Sequence, residues 1–144
     1  MAKRTADVVW NGNLREGRGS IATQSTAVKA SYSVRSRMED GPGSNPEELL
    51  GAAHAACFTM AVSAILSSAG LTPTELRTHA SVTLANDGGQ FSIPEIALEL
   101  EGVVPGIDEA TFVRHAETAK ATCPVSKALA GVPKITLRAS LKTA

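Results

Sequence analysis

Asn45-Pro46-Glu47-Glu48-Leu49-Leu50-Gly51-Ala52-Ala53-His54-Ala55-Ala56-Cys57-Phe58 opens the span that decides the fold, because from Leu49 through Leu71 there is no Asp, Glu, Lys or Arg. Its length alone would permit a membrane crossing of ~20 residues. The composition argues otherwise: the span is Ala-rich rather than Leu/Ile-rich, it holds His54, Thr59, Ser63, Ser67 and Ser68, and it follows the acidic pair Glu47-Glu48 instead of a basic anchor. A helix apolar all round also occurs as the enclosed central helix of a domain. Its ends are marked. Asn45 stands at the N-cap, Pro46 at the first helical position and Glu48 at the third, a variant of the capping box, and Gly70 precedes a Thr72-Pro73 stop.

Working outward, residues 5–10, 19–24 and 28–38 carry strand signals broken at Asn11-Gly12 and Gly17. In the third, Val28, Ala30, Tyr32 and Val34 share one face and Lys29, Ser31, Ser33, Arg35 and Arg37 the other, which sets Arg37 on the polar face of a half-buried strand. On the C-terminal side the alternating sets are Ala80/Val82/Leu84, Ile96/Leu98/Leu100 and Ile135/Leu137/Ala139/Leu141, each a strand with one wet face. A helix is expected over 108–121, then a short one from Pro124 to near Gly131 with Cys123 as its N-cap. Strands, a long helix, strands, helices and a closing strand make an α+β fold, expected as antiparallel sheets around a long buried central helix. No repeat or linker divides the chain, so residues 1–144 read as one domain.

The 14 Lys+Arg balance 14 Asp+Glu, for a formal net charge of zero. That removes the basic excess that phosphate neutralisation demands, so no nucleic-acid partner is expected. The early apolar run Val8-Val9-Trp10 is too short for a signal peptide, which points to the cytoplasm, with no membrane partner. In that reducing compartment two cysteines signal catalysis, redox sensing, metal binding or plain buried thiols. Cys57 lies mid-helix among alanines and Phe58, where a thiol is ordinarily an inert small hydrophobe and burial raises its pKa. Cys123, at a helix N-terminus, meets unpaired N–H groups that favour thiolate. They lie 66 residues apart, so a bridge between them would be non-local. A metal site from His54, Cys57, His79, His115 and Cys123 is the competing assembly, but no C-x-x-C or H-E-x-x-H pair supports it. His54 alone reads as a packed, hydrogen-bonded helix residue.

The run from Ser44 to Phe58, with Val104-Pro105-Gly106-Ile107-Asp108 and Cys123-Pro124-Val125-Ser126, resembles the osmotically inducible protein C (OsmC) family of thiol peroxidases. The resemblance covers nearly the whole chain, including Trp10-Asn11-Gly12 and Arg37-Met38-Glu39. The sister organic hydroperoxide resistance (Ohr) group shares the Asn-Pro-Glu and Cys-Phe elements, while Ala-His-Ala-Ala-Cys looks more like the OsmC branch. The resemblance implies an intertwined homodimer in which Cys57 is peroxidatic, Cys123 resolves it, and Arg37 held by Glu47 activates the thiolate. Arg18, in Gly17-Arg18-Gly19, is the rival arginine, matching the Ohr pattern. The implied reaction takes an organic hydroperoxide and an external dithiol reductant, lipoyl- or thioredoxin-type, with no metal, flavin or nucleotide. A non-enzymatic stress-induced binding protein or redox sensor using the same cysteine pair is the alternative. If the helix is continuous from Pro46, Glu47 and Cys57 stand ten residues apart, or ~15 Å along the axis, too far for one site within a chain. A two-fold dimer with composite sites is the expected consequence. Phe58, Met60 and Phe112 are candidates to line a pocket for the organic tail, with core packing as the ordinary role of each.

Overall fold

In the computed structural model, which describes residues 1–142, the N-terminal alternation resolves into three short strands, β1 (Ala6–Asn11), β2 (Arg18–Thr23) and β3 (Lys29–Tyr32). They form an antiparallel sheet in that order within the first of two compact units, Met1–Leu49. Trp10 and Tyr32 lie on it with ring centroids 5.3 Å apart. Gly19 sits beneath the Tyr32 ring, where any Cβ would collide with it.

The strand expected over 28–38 stops at Tyr32, which corrects the placement of Arg37. Ser33 turns the chain into α1 (Val34–Met38): its Oγ accepts from the Ser36 N–H at 3.2 Å, and the Ser36 Oγ accepts from the Ser33 N–H at 2.9 Å. This reciprocal box satisfies two donors that a helix start leaves orphaned. Local hydrogen bonding therefore overrides the period-2 pattern, and Arg37 rides on a helix rather than on a strand's polar face.

The apolar span forms α2 (Pro46–Ser68), unbroken from the first unit into the second, which begins at Leu50. Asn45 Oδ1 accepts from the Glu48 N–H at 2.9 Å, as the N-cap reading requires. The Glu48 carboxylate does not complete the box; it accepts from Ser44 Oγ at 3.1 Å instead. At the other end Gly70 takes φ +74° and the Leu71 N–H bonds the Leu66 carbonyl at 2.9 Å, a left-handed stop that glycine adopts without strain. The helix is not enclosed all round. His54, Phe58, Val62 and Leu66 are fully buried, whereas Met60 is 75% exposed and Ala52, Ala53, Ala56 and Ala64 are open as well.

In the second unit β4 (Glu75–Asp87) and β5 (Gln90–Val103) form an antiparallel hairpin, followed by α3 (Glu109–Thr122), α4 (Pro124–Ala128) and β6 (Lys134–Leu141). β6 lies parallel to β5, Leu137 beside Leu98, so this sheet is mixed rather than antiparallel. Residue alternation sets which face a strand buries but carries no strand direction; the helical crossover between β5 and β6 permits the parallel pairing. The core gathers Ile96, Leu98 and Leu100 of β5, the buried stripe of α2, Phe112, Ala116 and Ala119 of α3, and Cys123. Each large apolar side chain buried there contributes about 2 kcal/mol. The opposite face is wet and laced by Glu95–Lys134 (2.8 Å), Glu99–Arg138 (3.0 Å) and Glu101–Lys142 (3.0 Å), pairs of small individual worth.

Gly102 packs under the fully buried Phe112 ring, which has no room to retreat. Gly102→Ala is expected to lower the denaturant midpoint at unchanged slope, a loss of about 1–3 kcal/mol from overpacking, read by equilibrium urea unfolding.

Candidate active site

In the first unit the two serines that start α1 also position its arginine. Ser36 Oγ donates to the Ser44 carbonyl at 2.7 Å, and Asn45 Nδ2 donates to the Ser36 carbonyl at 3.2 Å. These bonds tie α1 to the residues that open α2, and Arg37 and Glu47 meet as a result. Arg37 Nη2 donates to Glu47 Oε1 at 2.7 Å, and Nε donates to Oε1 and Oε2 at 3.2 and 3.1 Å. The fork is the geometry that only a guanidinium offers a carboxylate. The Glu47 hydrogen bonds raise the Arg37 pKa, against some desolvation and with the Glu47 charge adding to them. Glu47 sits in the first turn of α2, where the helix dipole also favours its charge. The Arg37 side chain keeps about a third of its surface open, so it is held without being consumed by the pair. Arg18, the rival arginine, donates to the Gly17 carbonyl at 3.3 Å and, among the described residues, makes no ion pair.

The second unit brings the two thiols together. Cys57, partly exposed on α2, and Cys123, fully buried where α3 ends and α4 begins, are both free and act directly on each other. At Cys57 the Val125 N–H favours thiolate, but desolvation and the hydrogen bond and charge of Cys123 outweigh it, and the thiol is pushed up. At Cys123 desolvation opposes ionisation, yet the Ser126 N–H and hydroxyl, the Cys57 thiol and the Val125 N–H prevail and pull it down. These contacts are loose electrostatic ones, since the Cys123 side chain closes no full cap bond on α4. The two sulfurs titrate as a pair, with Cys57 pushed up and Cys123 pulled down. That follows the sequence expectation for each sulfur: apolar helix surroundings withhold charge from Cys57, and a helix start supplies it to Cys123.

Beside the pair lies a polar contact that sequence reasoning did not find. His54 Nε2 and Ser126 Oγ are 2.7 Å apart, both residues buried, with His54 fully so. No local pattern announces it, because the two residues lie 72 positions apart and are brought together only by packing. Of the candidate tail-binding residues, Phe58 and Phe112 are core and Met60 is exposed, so they do not form a common pocket. Among the described residues no three His, Cys, Asp or Glu side chains converge as a ligand set; His79 stands exposed on β4, 3.3 Å from Ser81 Oγ.

Asn45 both caps α2 and holds the α1 carbonyl, so Asn45→Ala is expected to cost about 1–2 kcal/mol of stability, measured by chemical unfolding.

Residues 39–138 match the OsmC-like protein family. The chain is 46% identical over 135 residues to the protein named "Peroxiredoxin OsmC" of Escherichia coli (strain K12), covering 93% of each. It is 34% identical over 124 residues to an "Organic hydroperoxide resistance protein" of Xanthomonas axonopodis pv. citri, covering 85% of each. Among solved structures, the organic hydroperoxide resistance protein OhrB of Bacillus subtilis shares the fold with a TM-score of 0.72 at 24% identity, over 96% of this chain and 98% of that one. An OsmC-like protein of Vibrio cholerae does so with a TM-score of 0.76 at 16% identity, over 96% and 99%.

Proposed function

The chain belongs to the OsmC-like protein family, and from that premise we propose that it reduces organic hydroperoxides, and hydrogen peroxide less efficiently, to alcohols through a Cys57 sulfenic acid and a Cys57–Cys123 disulfide. It is a peroxidase-type oxidoreductase. The observation that carries the reading is the meeting of two free thiols, far apart in sequence, at the buried junction of α3 and α4. The family match runs across the boundary between the two compact units, which supports taking residues 1–144 as one domain.

The Cys57 thiolate attacks the terminal oxygen of the hydroperoxide; the S–O bond forms, the O–O bond breaks, and the electron pair leaves on the alkoxide, which takes a proton to become the alcohol. Cys123 condenses with the sulfenic acid, and an external dithiol of lipoyl or thioredoxin type resets the disulfide by two exchanges. Such cycling suits the cytoplasm, where thiols are kept reduced.

For the first step Cys57 needs a cation that its own unit does not supply. Arg37, held in fork geometry by Glu47, has the donors to stabilise thiolate and orient a peroxide oxygen together. The unbroken course of α2 meets the condition for composite sites, so Arg37 and Glu47 of one protomer are assigned to the Cys57 of its partner. The open alanine and Met60 face of α2 is apolar surface that a two-fold mate would cover.

Fully reduced protein given one equivalent of tert-butyl hydroperoxide is expected to lose both thiols within the fast phase, by thiol titration and intact mass. Cys123→Ser is expected to stop at a trappable sulfenic acid and Cys57→Ser not to react; thiols that survive in the parent protein would overturn the peroxidase reading and leave a non-enzymatic binding or metal role instead.

The pH dependence separates the arginine's role. With the partner's guanidinium acting on Cys57 as proposed, the thiol is expected to be ionised at neutral pH and the first-phase rate to be flat across it. In Arg37→Met the thiol reverts to the raised value of its own surroundings, and the rate at pH 7 is expected to fall about 100-fold and still climb above pH 8. Arg18→Met is expected to leave the profile unchanged.

A further inference from the structure

α4 is five residues long, and its N-cap, Cys123, makes no side-chain cap bond. A helix that short has no stability of its own, so its place is set by what it packs on. Val125 and Leu129 pack against the core, a contact without direction. The directional contact comes from α2. His54 Nε2 lies 2.7 Å from Ser126 Oγ, with His54 fully buried and Ser126 8% exposed, and among the described residues this is the one side-chain hydrogen bond that joins α4 to another element. Burial lowers the His54 pKa, so the ring is neutral and carries one N–H. Nδ1 has no partner; a proton there would be a buried donor without an acceptor, so the N–H is on Nε2 and donates to Ser126 Oγ.

The two sulfurs stand one turn from the two ends of this bond. Cys57 follows His54 by three residues on α2, a spacing that puts side chains on one helical face with Cβ atoms about 5–6 Å apart. Cys123 precedes Ser126 by three residues, as the N-cap of the turn that carries it. Fixing His54 to Ser126 therefore fixes how α4 presents Cys123 to the turn of α2 that carries Cys57. We propose, resting on the peroxidase reading above, that the His54–Ser126 hydrogen bond is a tie between α2 and α4 that keeps the resolving sulfur within reach of the peroxidatic one. Both are positioning residues, acting through the placement of α4. In the step served, the Cys123 sulfur attacks the Cys57 sulfur of the sulfenic acid, the S–S bond forms and the S–O bond breaks. The electron pair leaves as hydroxide, which takes the proton given up by the Cys123 thiol and departs as water. The earlier attack of Cys57 on the hydroperoxide does not draw on the tie.

Two readouts test this. In Ser126→Ala and His54→Phe given one equivalent of tert-butyl hydroperoxide, loss of the first thiol should keep the parent rate. Disulfide formation, followed by quenched mass analysis, should slow about tenfold, the ordinary weight of one buried hydrogen bond. In mixtures of reduced and oxidised glutathione, the equilibrium between the two thiols and the Cys57–Cys123 disulfide should move toward the dithiol by the same factor. The double variant should be no worse than either single change, since the same bond is lost in each. His54→Gln, which keeps an N–H donor near the Nε2 position, should recover most of both effects. Parent disulfide rates and equilibria in Ser126→Ala and His54→Phe would overturn the proposal. So would losses that add in the double variant, a first thiol slowed as much as the second, or a His54→Gln protein no better than His54→Phe, each the mark of general packing. Thermal melts identify a variant that does not fold, and if His54→Phe is one, Ser126→Ala with His54→Gln decides. If the parent thiols ignore hydroperoxide, the peroxidase reading fails on its own, while the glutathione equilibrium still decides for or against the tie; a parent that forms no Cys57–Cys123 disulfide in glutathione overturns it.

Discussion

His54, Phe58, Val62 and Leu66 recur every four residues along α2, and this single buried stripe is the constraint on which the larger unit depends. Side chains at that spacing lie on one helical face. Phe58, Val62 and Leu66 place the helix on Ile96, Leu98 and Leu100 of β5 and on Phe112 and Ala116 of α3. His54 and Cys57, at the start of the same stripe and beside it, are thereby delivered to the junction where α3 yields to α4. A single shift of helix register would carry both away from Cys123 and Ser126. Packing of the hydrocarbon side chains and alignment of the sulfur chemistry are thus one requirement.

Two kinds of electrostatic preparation divide the work. On the Cys123 side, backbone N–H groups and a hydroxyl lower the cost of a thiolate in a fully buried place. On the Cys57 side, burial and the neighbouring sulfur raise that cost, and in the first unit Ser33, Ser36, Asn45 and Glu47 hold Arg37 in a guanidinium fork. Under the proposed function, a Cys57 thiol that stays protonated until the guanidinium reaches it is protected from indiscriminate oxidation, since thiolate is the reactive form.

The apolar character of α2 has a related consequence. Length and composition alone make it resemble a membrane span. Its covered stripe belongs to a protein core, and its open side is mostly alanine, small enough for another helix to approach closely. A surface of that kind favours burial against protein over exposure to water. The composite site in the proposed function and the composition of this helix therefore draw on the same physical need.

How much of this was legible in the chain follows from which forces are local. The capping of α2 by Asn45 and Pro46, its stop at Gly70, the start of α3 near Asp108, the placement of Cys123 before Pro124 and the inward faces of β4, β5 and β6 were all readable, because caps and periodicity are written within a few residues of where they act. The Asn-Pro-Glu and Cys motifs pointed to the family as well. Misread were residues 33–38, where alternation suggested a strand and a Ser33–Ser36 box made a helix, and the direction of β6, to which alternation is blind. The pairing of Ser126 with His54 spans 72 positions, and the meeting of Cys57 with Cys123 spans 66. The sequence by itself determined the elements, their buried faces and the residue types that can do sulfur chemistry, since those depend on near neighbours. Only the tertiary structure decided that the buried histidine meets the serine of α4 and which arginine forks onto a carboxylate, because such contacts are set by the packing of whole elements against one another.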